Sequence, residues 1–345
     1  MPSRPSPAGR RQTRFDPVTG SRTPSAVLLA APRQGGARSA APGRPATSRR
    51  RRHLRKVLRG VIGLAVFVAV VVGGALGVAS FLGRDEPAIR TSRCAATLDG
   101  TDWYLDPAQA DVAALIAGQA LTRGLPARAL TIALATALQE SDLENIDYGD
   151  RDSLGIFQQR PSQGWGTAEQ ILDPVYSTNA FYDALVRVDG YQDMAVTDAA
   201  QAVQRSAFPQ AYAQHEARAR AWANGLYGFA AGAIKCELDE VEDPAAVDPA
   251  AVVARVQRDL GLTATVTPDG VLVDATALAG SDPQLAARLA WGVAHWAVAA
   301  ADATGVAAVE HHTLMWDRRA VWHPRPEDAP ALADSEVLLR LPVVG

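Results

Sequence analysis

The residues with most chemical potential in this chain lie between Pro126 and Pro161, PARALTIALATALQESDLENIDYGDRDSLGIFQQRP. A single carboxylate, Glu140, ends a run of small and apolar residues and is followed by Ser141. Fifteen residues after Glu140 comes Gly155-Ile156-Phe157-Gln158, across a polar loop carrying Asp147, Asp150 and Asp152. A carboxyl group among apolar neighbours is disfavoured in its ionised form, which raises its pKa. A carboxylic acid kept protonated near neutrality can give a proton to a leaving oxygen. Glycosidic bonds need such an acid, because a sugar oxygen leaves poorly until it is protonated, and a second carboxylate ~6.5–9.5 Å away would activate water. Asp152 and Asp150 are the candidates for that second group. From spacing alone both assignments have plainer readings: a helix-terminal Glu in solvent, where Glu usually lies, and a turn-rich acidic loop around Gly149.

The elements that must position these groups read as helices. Pro126 starts a helix with Leu130, Ala133, Leu134, Ala137 and Leu138 on one face and Ile132, Ala135, Thr136 and Gln139 opposite. A helix apolar nearly all round is buried. Before it, Asp106-Pro107 reads as N-cap and first helical position, opening an apolar stripe of Val112, Leu115, Ile116 and Ala120 that Gly124-Leu125-Pro126 ends. Asp173-Pro174 opens another helix, and Asp198 to Arg205 and Ala211 to Leu226 read as two more. Strand-like alternation is scarce from 106 to 234. Trp165, between Gly164 and Gly166, suits either a sugar-stacking loop or the core; Tyr148, Phe157, Tyr176 and Tyr212 read as core.

Residues 126–190 resemble the soluble lytic transglycosylases and goose-type lysozymes of the lysozyme-like superfamily. The family pattern is Glu-Ser, then Gly-hydrophobic-hydrophobic-Gln-x-x-Pro, then Asp-Pro before a helix. Here it is matched by Glu140-Ser141, Gly155-Ile156-Phe157-Gln158-Gln159-Arg160-Pro161 and Asp173-Pro174. The resemblance implies that Glu140 is the acid/base cleaving the bond between N-acetylmuramic acid and N-acetylglucosamine. It also implies that Ser141 orients the carboxyl or the substrate, that Gln158 lines the cleft, and that Gly155 allows a close backbone approach. The family's later Tyr-Asn pair is absent: the corresponding segment is Ala202-Val203-Gln204-Arg205-Ser206, with Gln204 standing in for the Asn. That departure leaves two routes open, completion by the substrate's own groups or hydrolysis assisted by Asp152 or Asp150.

The surrounding chain suggests an address. Residues 1–59 hold 14 Arg, one Lys and a single acid, about +14, so the remainder of a chain with net charge −3 carries about −17. An acidic body with a basic tail does not point to nucleic acid. Residues 1–56 have the composition of a disordered basic cytoplasmic tail. Gly60 to Gly83 contains no charge over 24 residues, against the ~20 that cross a bilayer, so 57–83 reads as a transmembrane helix with the N-terminus cytoplasmic. A cleaved signal peptide ending near Val78-Ala79-Ser80 is the competing reading, although such peptides are typically only ~15–30 residues long. Residues 84–105 read as a tether. Cys94 and Cys236 bracket the central region and would pair outside the cytoplasm.

Residues 237–249 are acid-rich and read as a linker. After them, 250–345 reads as a small α+β domain with a hairpin around Pro268-Asp269-Gly270, and Ala290 to Trp322 resembles a small domain of some actinobacterial secreted wall enzymes. Its histidines, His295, His311, His312 and His323, show no metal-binding spacing, and no cofactor is expected. The expected fold class is therefore a mainly α lysozyme-like domain at 106–236, preceded by a disordered tail and one transmembrane helix, and followed by the small α+β domain. The expected partners are peptidoglycan glycan strands and, through the N-terminal helix, the membrane. The expected function is a membrane-anchored peptidoglycan glycosidase, the alternative a non-catalytic glycan-binding scaffold.

Overall fold

The computed structural model describes residues 92–206, 208 and 210–343. The tail expected at 1–56 and the membrane helix expected at 57–83 lie outside the described residues. Among those residues no helix is long and apolar enough to cross a membrane. They are 46% helix and 17% strand, with two antiparallel sheets. This corrects the expected fold class: the described chain is a mixed α and β structure, not a mainly α domain followed by a small α+β one.

The first sheet arises where a tether was expected. Strands β1 (Arg93–Leu98) and β2 (Thr101–Leu105) pair through a two-residue turn. Asp99 and Gly100 form that turn with φ of 51° and 74°. Both central residues of the favoured hairpin turn need positive φ, which Asp-Gly supplies at low cost. Strand β3 (Ile234–Glu237) adds to the other side of β1, setting Cys94 opposite Cys236. The two are joined by a disulfide. Sheet and disulfide together close the chain where it enters and leaves the helical region.

That region holds α1 (Pro107–Thr122), α2 (Ala127–Ser141), the short α3 (Ala168–Leu172), α4 (Pro174–Leu185), α5 (Val196–Gln204) and α6 (Glu216–Leu226). Helix α2 is at its centre, with every residue from Ala129 to Leu138 buried. It packs against α1, α4, α5 and α6. Its two buried hydroxyls bond back into the helix, Thr131 to the Ala127 carbonyl at 3.1 Å and Thr136 to the Ile132 carbonyl at 2.8 Å. The backbone leaves the helix through Asp142 and Leu143, both left-handed with φ of 54° and 62°. A non-glycine residue in that region costs on the order of 1–3 kcal/mol, so the surrounding packing must enforce it.

The C-terminal part comprises α7 (Pro249–Leu260), α8 (Thr276–Ala279), α9 (Pro283–Ala299), α10 (Ala301–Thr304) and a six-stranded sheet. Its strands are β4 (Ala264–Thr267), β5 (Gly270–Asp274), β6 (Ala308–His311), β7 (Leu314–Asp317), β8 (Trp322–Pro324) and β9 (Glu336–Arg340), in the order β4-β5-β9-β6-β7-β8. The two parts form one compact unit. Helix α9 lies against β6 and β9 and also against α1 and α6. Asp259 locks the junction. Fully buried, it bonds Arg255 and Arg258 at 2.7 Å each and the Trp296 indole at 3.2 Å. Its backbone carbonyl accepts from Gln119 of α1 at 3.0 Å. A Cβ on Gly118 would lie 2.4 Å from that carbonyl, so α1 and the end of α7 meet only because position 118 has no side chain. The segment 237–249, read as a linker, includes the last residue of β3 and a 3-10 turn at Pro244–Ala246.

The disulfide spans 142 residues, so chain entropy gives it at most about 5 kcal/mol of stabilisation. Replacing both cysteines by serine is expected to lower the unfolding free energy by about 2–5 kcal/mol, read from urea midpoints. An unchanged midpoint would show that the sheet closes the ends unaided.

Candidate active site

Glu140 occupies the last turn of α2, half-buried on the wall of a cleft of about 540 Å³. The buried helix carries its own end to the edge of the core, and the left-handed exit turns the following chain aside. Gln158, Trp165, Gln204 and Asp150 line the same cleft. The structure thus gathers four of the expected site residues around Glu140, although they come from three separate segments.

A tyrosine read as core completes the carboxylate's surroundings. The segment Ala211–His215 winds as a 3-10 helix and not as the start of α6. This places Tyr212 inward and fully buried, with its hydroxyl donating to Glu140 Oε1 at 2.7 Å. The next polar residues of the segment reinforce the register: Gln214 donates to Gln139 Oε1 at 3.0 Å, and His215 meets the same oxygen at 3.2 Å. Burial, and then the hydrogen bond to Glu140 and its charge, hold the Tyr212 phenol well above the ordinary tyrosine range. It therefore remains a donor throughout the neutral range. No local pattern could show this pairing, since 72 residues separate the partners; the one general signal is that a buried tyrosine hydroxyl needs a partner.

Other expected site residues serve the loop that builds the cleft. The Ser141 hydroxyl donates to the Ile156 carbonyl at 2.7 Å, pinning the loop to the end of α2. Leu154 and Gln159 exchange backbone hydrogen bonds at 2.9 and 3.0 Å, making a tight reversal with Gly155 at φ 73° and Gln158 at φ 48°. A Cβ on Gly155 would come 2.7 Å from the Ile171 carbonyl, so the close approach that glycine permits is to α3. Ile156 and Phe157 are buried, and Phe157 stacks on Phe181 with centroids 4.5 Å apart. Gln158 donates to the Tyr148 carbonyl at 3.2 Å. Gln204, at the end of α5, donates to the Phe157 carbonyl at 2.8 Å. The glutamines therefore shape the wall while exposing part of their surface to the cleft.

The acidic loop divides in two. Asp152 bonds Arg160 at 2.7 Å and accepts from the Ser162 N–H at 2.8 Å. Hydrogen bonds from Ser162 first, and then from Arg160, hold its carboxyl well below the usual range. Asp152 is thus engaged in holding the loop, and it is not among the residues that line the cleft beside Glu140. Asp150 lines the cleft but is 92% exposed, with Arg151 3.8 Å away. Asp147 is exposed. Trp165 stands partly buried at the cleft, its carbonyl accepting from Tyr176 at 3.2 Å. Among the described residues no group of three or more His, Cys, Asp or Glu could hold a metal ion. Comparison of the chain with protein-family models and with curated proteins finds no match.

Removing the Tyr212 hydroxyl should expose its coupling to Glu140. A double-mutant cycle of Tyr212→Phe and Glu140→Ala, read by urea unfolding, is expected to give an interaction of about 1.5–3 kcal/mol, as for a hydrogen bond to a charged group. Additivity would mean that the contact carries no energy. For Asp152 the folded pKa lies below the unfolded one, so its stabilisation is complete above the unfolded value of about 3.8 and is lost as pH falls below it. The penalty of Asp152→Asn should accordingly be full at neutral pH and shrink in acid. A penalty unchanged on acidification would contradict this assignment.

Proposed function

We propose that the chain cleaves peptidoglycan glycan strands between N-acetylmuramic acid and N-acetylglucosamine, with Glu140 as general acid and base. The observation that carries this reading is a single carboxylate at the end of a buried helix, hydrogen-bonded by Tyr212 and opening onto a cleft with Trp165 and Gln204. The ordered likeness to the soluble lytic transglycosylases and goose-type lysozymes supports it. In the proposed step the Glu140 carboxyl proton passes to the glycosidic oxygen as the C1–O bond breaks. Tyr212 steadies the carboxylate that results, because a donor aimed at developing charge acts without reorganising. An indole lining the cleft offers an apolar face on which a sugar ring can stack.

With Asp152 engaged by Arg160 and Ser162, and Asp150 exposed at the rim, Glu140 has no second carboxylate of the described residues held beside it. This favours completion by the substrate. The Glu140 carboxylate recovers a proton from the C6 hydroxyl of the muramoyl sugar as that oxygen bonds to C1, giving a 1,6-anhydro end. The disulfide supports a location outside the reducing cytoplasm, where the wall is found. The same lack of a second fixed carboxylate favours one alternative, a scaffold that holds glycan without cutting it.

Glu140→Gln keeps the shape and removes the proton. It is expected to reduce clearing of peptidoglycan in a zymogram by about 10²–10⁴-fold, with the cooperative unfolding transition retained and its free energy lowered by no more than about 1–2 kcal/mol, since Tyr212 then bonds a neutral acceptor. Undiminished clearing would remove Glu140 from the mechanism. Tight retention on sacculi by the unaltered chain, without released fragments, would select the scaffold.

A further inference from the structure

We propose that the groove continues past Trp165 into a second chamber that takes the carboxylate-bearing side of the glycan, recognised by Arg187 and Arg205. This rests on the reading of the first chamber as a glycan site. The second chamber has a volume of about 770 Å³, within the size range of ligand sites. It shares Gln163, Trp165, Gln204 and Arg205 with the chamber that holds Glu140. The two are therefore one groove, with the indole at their junction.

Charge distinguishes the second chamber. Among the described residues its lining includes two guanidinium groups, those of Arg187 and Arg205, and no carboxylate. Neither side chain makes an ion pair with a described residue, whereas Arg123, Arg160, Arg255 and Arg325 are each bonded to a carboxylate. Arg205 is presented by a fixed turn: it caps α5 in the left-handed region at φ 52°, its N–H donating to the Gln201 carbonyl at 2.8 Å. Arg187 follows α4, its N–H donating to the Ala184 carbonyl at 3.2 Å. A free guanidinium beside a sugar-sized groove matches a carboxylate bidentately, and Arg is the residue best shaped for that. Wall glycan carries a lactyl carboxyl, free or extended by a peptide with carboxylates of its own, on every second sugar. A chain of N-acetylglucosamine alone carries none. The second chamber thus separates wall glycan from neutral chitin-like chains.

Binding can be measured with catalysis silenced by Glu140→Gln. Calorimetry would use three glycans: strands with stem peptides, strands stripped of peptide by an amidase, and neutral N-acetylglucosamine oligomers. Arg187→Glu and Arg205→Asn are compared with the parent, the second using a residue that tolerates left-handed backbone. Each is expected to weaken binding of carboxylate-bearing glycan about tenfold or more, as for one charge-assisted hydrogen bond, and to leave the neutral oligomer unaffected. The parent's affinity for acidic strands should also fall as salt rises. A loss on both acidic strands assigns the arginines to the lactyl group, and a loss on peptide-bearing strands alone assigns them to the stem peptide. Unaltered binding of acidic strands by correctly folded variants, or an equal loss on the neutral oligomer, overturns the proposal. If active Glu140 protein releases no fragment while the arginine dependence persists, the cleavage reading fails by itself. Cleavage that is indifferent to both arginines sinks only the present proposal.

Discussion

Helix α2 has no polar face, and that constraint organises the described fold. A segment with Ala, Leu and Ile on every side can be stable only when surrounded, and α1, α4, α5 and α6 surround it. Once the helix is enclosed, its last turn has to emerge where the packing stops. Glu140 and Ser141 lie at that point. Ser141 ties the emerging end to the Ile156 carbonyl, and the left-handed pair Asp142 and Leu143 turns the chain away from the carboxylate. The position of the acid is therefore a consequence of core packing.

The wall of the cleft follows the same logic. Gly155 permits contact with α3, Ile156 and Phe157 fill the core, and Gln204 from α5 holds the Phe157 carbonyl. Residues with chemical potential in the motif mostly hold the loop, which leaves Glu140, paired with the Tyr212 hydroxyl, facing the cleft. Asp152 illustrates the division, since its carboxyl is taken up by the bonds to Arg160 and Ser162 that fix the loop, which also lower its pKa. Beyond Trp165 the groove has the opposite character, with Arg187 on its wall and Arg205 at the junction, neither ion-paired with a described carboxylate.

What could be read from the chain was local. The Asp-Pro starts of α1 and α4 and the apolar surface of α2 rest on interactions within a few residues, and the structure has helices there. The Asp99-Gly100 hairpin is equally local, but its short flanking strands, RCAATL and TDWYL, alternate only weakly. Tyr212 was beyond reach, because a pairing across 72 residues leaves no trace in spacing. The same holds for Asp259, whose partners lie on three helices, and for the packing of α9 against both parts. These long-range contacts are why a sequence that reads as separate segments forms one compact unit.

We propose that Glu140 cuts the glycan with the substrate completing the reaction. The most direct test is digestion of purified peptidoglycan in water enriched in heavy oxygen, with fragments analysed by mass spectrometry for the unaltered chain and for Glu140→Gln. The expected products are 1,6-anhydro ends free of heavy oxygen from the first and no fragments above background from the second. Heavy oxygen at the new sugar ends, or equal release by the variant, would contradict the proposal.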